Sequence, residues 1–568
     1  MGKWWKSCGI WCVALLLIAG IIPGKALAGT PDFSNPVLSD GADPYAVFKD
    51  GYYYYTHTTG GDVTIWKTKS LTNLETAQKK TIWRTTDNPG LCDGANCTYV
   101  WAPELHYTAG KWYLYVALDF KVYAFEANTQ DPMGAYALKG LMTSGIDATL
   151  FELNGKTYFM YNDWLNGTNG IFIHEMSNPY TLTSKRTRIA VPTYNWEINP
   201  NSQGGTNEGA AVLIRNGKVF IIYSANDWMS ENYCLGLLTA SASSDLFNTA
   251  SWTKSANPIF QKNSANGVYG PGHNSFVKSP DGTEDWNVYH AKKIQAQDGA
   301  RNVRIQKVTW NPDGSPNLGI PLALSAKQLV PSGDQQIRYE AEDAKINHAA
   351  TASDPNASGG SKAAYIDYSD SYVEYSVKVP SSGTYSMKVR YHNDWGTSTH
   401  NVSVNGGSGT ALSYGSGYGT AVLNVNLNAG SNTIRFSKGS SFAELDYIDI
   451  PLRHEAEKAV LNHAGTASDN TASGGQKAGY IDYADSYAEF SVNVPAAGTY
   501  NVQVRYHNDW GASTHNVSVN GGAGFSLSYG SGWNITSFNV SLNKGYNKIR
   551  FSKGSSYTEL DYIEVAYP

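Results

Sequence analysis

The chain is expected to be all-β, a five-bladed β-propeller followed by two tandem β-sandwiches of jelly-roll type. Three observations predict this. One pattern recurs five times in the first three hundred residues: a short motif opens a strand, and an aromatic-rich partner follows across an Asn-Gly, Asp-Gly or Ala-Gly turn. From Glu340 onward the chain repeats itself at an offset of 115 residues without insertion or deletion. No amphipathic helix of any length is legible in the mature chain, and 56 glycines supply its turns.

The first element is an export signal, residues 1–28. Lys3 and Lys6 precede an apolar run from Ile10 to Ile22, and Ala26-Leu27-Ala28 has the small-x-small form of a cleavage site. The run is short for a membrane span, which disfavours an uncleaved anchor. The mature protein is therefore expected to be secreted, with no membrane association after cleavage. Removing the signal's three lysines takes the formal net charge from -5 to -8, and no basic run appears, so no nucleic-acid partner is expected. A monomer is expected. Cys8 and Cys12 leave with the signal. Cys92 and Cys97, in LCDGANC, can pair in an oxidising destination; the spacing suits a loop staple and no zinc site. Cys234 reads as a small buried hydrophobe.

The propeller domain spans residues 29–333. Its five openings are Asp43 in DPYAV, Trp101 in WAPELHY, Asp147 in IDATLF, Glu208 in NEGAAVL and His273 in GPGHNSFV, spaced by 58, 46, 61 and 65 residues. That spacing is the length of a four-stranded blade with its loops. Equivalent positions in a closed ring lie around one axis, so Asp43, Asp147, Glu208 and His273 should converge at one end of a central channel. Three convergent carboxyls suit cleavage of a glycosidic bond, which needs an acid to protonate the leaving oxygen and a carboxylate to activate water or attack the sugar. A third carboxyl can hold the acid's pKa high. Taken singly, Asp43 and Asp147 could be turn residues; their common position in the repeat favours chemistry.

The sandwiches span residues 338–452 and 453–568. Each alternates apolar and polar residues over short runs, as in YVEYSVKVP and HNVSVNG, punctuated by turn residues. Only IDIPLRH separates the copies, so they should abut.

The five propeller motifs, in this order, resemble glycoside hydrolase family 43 over about residues 33–325. The resemblance implies a five-bladed inverting hydrolase with Asp43 as general base, Asp147 as pKa modulator and Glu208 as general acid. It places His273 where many relatives face a calcium-centred water cluster; a hydrogen-bonded core histidine is the plainer reading. Arg301 or Arg304 would be the family's arginine near the site. Trp101, Trp164 and Trp228 are candidate sugar platforms, with blade packing as the alternative. The stretch from GPGH looks most like members that remove terminal L-arabinofuranose.

The EAE openings and ELDYI closings of the two copies resemble carbohydrate-binding modules of families 6 and 35. In such modules these positions hold a structural calcium, here Glu340, Glu342 and Asp446, then Glu455, Glu457 and Asp561; hard oxygen ligands suit that ion. Tyr365 and Tyr480 match a family binding tyrosine. Tyr418 and Trp533 lie in the loop that often gives a second ring, and Trp395 and Trp510 in HNDWG are further candidates. One departure stands out: a position that is often Asn in sugar-binding relatives is Glu444 or Glu559 here.

The expectation is a secreted, inverting exo-α-L-arabinofuranosidase acting on the arabinan or arabinoxylan of plant cell wall polysaccharide. The alternatives are β-xylosidase or endo-arabinanase, and, in another class, a non-catalytic sugar-binding propeller. Three convergent carboxyls argue against the last.

Overall fold

The computed structural model describes residues 32–566 apart from 89, 93–96, 199–204, 297, 335–336, 441 and 556. The expected signal, with Cys8 and Cys12, lies outside these. Among the described residues, helix is confined to short 3-10 turns, and none of these is long and apolar enough to cross a membrane.

Five four-stranded antiparallel sheets follow one another in chain order. Their innermost strands are Ala42–Lys49, Val100–Thr108, Ile146–Leu153, Asn207–Arg215 and Gly272–Lys278. Each innermost strand touches the next, and the fifth touches the first, so the ring is closed. Segments before the first blade complete the closure: Leu38 bridges to Val303, and Asp32–Phe33 pairs with Gln328–Leu329. Between blades lie rings and aliphatic chains excluded from water, such as Tyr53, Tyr55 and Trp286. Fully burying one such side chain stabilises by about 1.5–3 kcal/mol. Cys92 and Cys97 are disulfide-bonded in the connection between the first and second blades, and Cys234 is a buried thiol in the fourth.

One irregularity repeats in all five blades. Near the start of each innermost strand two residues oppose one on the neighbouring strand, a β-bulge. The first residue of each bulge is left-handed: Asp43 (φ 54°), Ala102 (φ 42°), Asp147 (φ 55°), Gly209 (φ 54°) and His273 (φ 44°). Only glycine adopts this conformation readily, so four of the five carry backbone strain at one end of the channel.

Each repeat copy is a sandwich of a six-stranded and a five-stranded sheet. The first copy's sheets run from Arg338–Glu340 to Glu444–Asp449, and the second copy's first strand, Leu452–Glu455, begins one residue before the repeat boundary read from sequence. Both copies dock on the propeller. In the first, Asp343 accepts from the Tyr52 hydroxyl at 2.8 Å and faces Lys69 at 3.4 Å. In the second, Asn493 Oδ1 accepts from Gly333 N–H at 2.7 Å, and the Tyr546 hydroxyl donates to the Val330 carbonyl at 2.9 Å. The copies touch each other where Arg453 donates to the Thr384 carbonyl. Tyr52 pairs with Lys49 at the end of the first blade remote from Asp43, so the sandwiches sit at the channel's far end.

Candidate active site

The bulges set the site. In the first, third and fifth blades the left-handed residue is Asp43, Asp147 or His273; in the second and fourth it is Ala102 or Gly209. Trp101 and Glu208 therefore stand one residue before the bulge, a step away from strict equivalence with the other three. Because alternate residues face opposite ways, this step lets Glu208 approach from its own direction. Gly209 is needed here: a Cβ on it would lie 3.1 Å from the His273 ring.

Asp43 is held as an anion. Its Oδ1 accepts from Arg301 Nη1 at 3.1 Å and lies 3.2 Å from His273 Nδ1; its Oδ2 accepts from the Thr58 hydroxyl at 2.7 Å. Burial works against the charge, but His273, Arg301 and His290, with Thr58, outweigh it and hold the carboxyl well below the usual range. Thr58 in turn accepts the Ala102 N–H at 2.7 Å, tying blades one and two. Arg301 is thus the arginine at the site. Arg304 is buried inside the fifth blade, donating to Asn302 Oδ1 at 2.8 Å.

Glu208 and Asp147 are held the other way. Burial, followed by the Asp43 charge among the raising causes, pushes Glu208 up to about 7 despite a 2.6 Å hydrogen bond from Tyr233. Asp147 is pushed well above its ordinary value by burial and then by Glu208 and Asp43. Its Oδ2 accepts the Gly209 N–H at 3.1 Å and, with the Asn162 amide turned to face it, a second donor at 2.9 Å. Like charges so close cannot both ionise freely, and the pair titrates as one unit that keeps a proton near neutral pH. One ligand atom each of Asp147, Glu208 and His273 lies within 4.8 Å of the others. A cation bound by all three would hold Glu208 ionised, which is at odds with an acid's task. Burial pushes the His273 imidazole below its ordinary value, against the opposing pull of Asp43.

Around the mouth, Trp101 packs on Tyr99 at 4.6 Å and edge-on to Phe120 at 5.3 Å, and Phe120 leads on to Trp164 at 6.1 Å. Tyr99, Phe120 and Trp164 are exposed, so the cluster forms a ring-lined rim. Trp228, also exposed, lies against the Arg301 guanidinium at 4.7 Å. Sequence reasoning passed over Thr58, Tyr233 and His290. None opens a blade, and only cross-strand register brings them to the site.

In the sandwiches, Tyr365 and Tyr480 are 64% and 62% exposed on left-handed backbone, and Trp395 and Trp510 are exposed as well. Tyr418 and Trp533, expected in a loop, stand near the start of strands Gly417–Leu427 and Gly532–Leu542 and are half-buried. The Tyr418 hydroxyl donates to Asp354 at 2.6 Å and its ring lies between His392 and Arg390; Trp533 is covered likewise by His507 and Arg505. Glu444 is engaged by Lys362 at 2.6 Å and His392 at 2.9 Å, and Glu559 by Lys477 at 2.6 Å. The carboxylates Glu340, Glu342, Glu455 and Glu457 each bury an oxygen without a hydrogen-bond partner, while Asp446 and Asp561 face Arg390 and Arg505. A Cβ on Gly359 would lie 2.6 Å from Glu342 Oε1, and one on Gly474 2.8 Å from Glu457 Oε1, so glycines cradle both clusters. Orphaned hard oxygens beside a glycine have the chemistry calcium takes, although the three carboxylates of each copy do not bring one oxygen each within 4.8 Å of the others.

Two carboxyl groups of opposite ionisation at one channel mouth define a site of the glycosidase class. Residues 33–316 match glycosyl hydrolases family 43, and the chain belongs to that family. Residues 337–453 and 452–567 each match the carbohydrate binding module of family 35; family 6, expected beside it, finds no support. The chain is 39% identical over 339 residues to an extracellular exo-α-(1→5)-L-arabinofuranosidase of Streptomyces avermitilis, covering 55% of this chain and 68% of that protein. It is 36% identical to α-L-arabinofuranosidase 43 of Humicola insolens, over 54% and 66% of the two chains. A Streptomyces chartreusis enzyme, also named extracellular exo-α-(1→5)-L-arabinofuranosidase, is 34% identical over 49% of this chain and 92% of its own.

Proposed function

We propose that this protein is a secreted, inverting, exo-acting α-L-arabinofuranosidase that releases terminal arabinofuranose from plant arabinan or arabinoxylan. The observation that carries the reading is the split between Asp43, held ionised by Arg301, and Glu208, pushed up to about 7 by burial. Asp43 takes a proton from water as that water attacks the anomeric carbon. Glu208 gives its proton to the departing oxygen, and Asp147, too close to Glu208 for both carboxyls to ionise freely, shares the proton that the pair keeps near neutral pH. His273, with Nδ1 3.2 Å from Asp43 Oδ1, helps to orient that carboxylate. Trp101, Trp164 and Trp228 offer ring faces to the sugars around the scissile bond. The relatives' printed names support arabinofuranose as the glycone.

The twin modules bind the polymer through Tyr365, Trp395, Tyr480 and Trp510, with Tyr418 and Trp533 backing the surface. Calcium, held by Glu340, Glu342 and Asp446 and again by Glu455, Glu457 and Asp561, would draw each module's terminal strands together. Release of arabinose from an aryl α-L-arabinofuranoside and from arabinan, against none from an aryl β-D-xyloside, tests the reading. Preferred turnover of the xyloside would overturn it.

A further inference from the structure

Tyr233 and His290 are fully buried, and neither is among the motif residues that open a blade. The Tyr233 hydroxyl donates to Glu208 Oε1 at 2.6 Å. Its ring lies parallel to the His290 imidazole, 5.7 Å between centroids and 8° between planes. His290 Nδ1 accepts the backbone N–H of Asp43 at 3.0 Å, which leaves its proton on Nε2. A Cβ on Gly272 would lie 2.4 Å from the Tyr233 ring, so the glycine before His273 makes room for this stack. A single face-to-face pair therefore joins the carboxyl on the fourth blade to the backbone of the carboxyl on the first.

We infer that Tyr233 is a positioning residue for proton delivery and that His290 braces it against Asp43. The inference rests on the reading of Glu208 as the acid. With Oε1 occupied by a donor, the transferable proton of Glu208 is confined to Oε2. As the glycosidic bond breaks, its electron pair goes to the leaving oxygen, which takes that proton. Water forms the new bond to the anomeric carbon and loses its own proton to Asp43. The carboxylate left on Glu208 is then stabilised by the hydrogen bond already in place, so Tyr233 helps most where the leaving group needs its proton.

The test is Tyr233→Phe in the full chain, which keeps the ring and its stack and removes only the donor. The kcat and KM are measured on two arabinofuranosides with the same glycone, one leaving an acidic phenol and one leaving an alkyl alcohol. The variant should lose roughly 10- to 100-fold in kcat on the alkyl substrate, the worth of one hydrogen bond to a charged group. On the phenol it should stay within about threefold, with KM little changed on both. A general packing defect would slow both alike, and equal losses, or none, overturn the inference. Glu208→Gln on the same pair is the control. If it shows no leaving-group split, the assignment of the acid fails, and this inference with it. If it splits and Tyr233→Phe does not, this inference alone fails. His290→Phe retains a ring beneath Tyr233 and removes the acceptor of the Asp43 N–H. It should slow both substrates together, and a split loss there contradicts the proposed division of labour.

Discussion

Arg301 decides the ionisation of Asp43 more durably than its histidine neighbours, because a guanidinium stays charged at every working pH. With Asp43 far below the usual carboxylate range and Glu208 near 7, the pH profile of kcat/KM should be lopsided. The general acid must be protonated, so activity falls as pH rises through about 7. The base stays ionised far into the acid, so no matching acid limb appears near pH 4. Arg301→Met removes the charge that favours the anion, raises the Asp43 pKa and should bring an acid limb into view, read from rates between pH 3 and 6. Glu208→Gln should cost about 10²–10⁴-fold on polysaccharide, the usual worth of general acid catalysis, and less on an activated aryl glycoside. The carboxyls were legible in the sequence because each sits at a repeated strand opening. Tyr233, His290 and Thr58 were not, because a tyrosine, histidine or threonine in an ordinary strand acquires its role only from what faces it across the sheet.

The bulge is the element that builds the site. Hairpins and their turns could be read from Asn-Gly and Asp-Gly pairs, but a bulge shifts register by one residue and leaves no composition signal in Ala102 or Asp147. Five openings that looked equivalent therefore resolve into two positions, with Trp101 and Glu208 one residue ahead. Gly209→Ala tests the role of the left-handed residue directly. Alanine at φ 54° costs about 1–2 kcal/mol, and its Cβ would press on the His273 ring. Denaturant unfolding should show that loss, and kcat should fall with it as His273 shifts against Asp43. A variant as stable and active as the parent would show that the bulge tolerates ordinary backbone.

Across the whole molecule, the 115-residue repeat was plain in the sequence, whereas the docking of its copies was not. The copies diverge where they meet the propeller: Asp343 is Lys458 in the second copy, and Asn493 and Tyr546 replace Lys378 and Ser431. Near-identical folds thus present different contacts to one surface, a difference without meaning until both partners are seen. Because both copies dock at the channel's far end, they leave the catalytic mouth open. Trp395→Ala with Trp510→Ala should lower adsorption to insoluble arabinan while leaving aryl arabinofuranoside turnover unchanged; equal adsorption would remove these rings from the binding surface. Chelation should lower the melting temperature of the sandwiches before that of the propeller, since burial already pushes Glu342 and Glu457 up to about 7 when no cation offsets their charge. Calorimetry that shows no change would remove calcium from the account.

In the proposed mechanism water, activated by Asp43, attacks opposite a leaving group protonated by Glu208. Proton NMR of the first sugar released from an α-L-arabinofuranoside reads this directly, before mutarotation blurs the anomers. β-L-arabinofuranose should appear first, by inversion at the anomeric carbon. Initial release of the α anomer would mean a covalent intermediate and would contradict it.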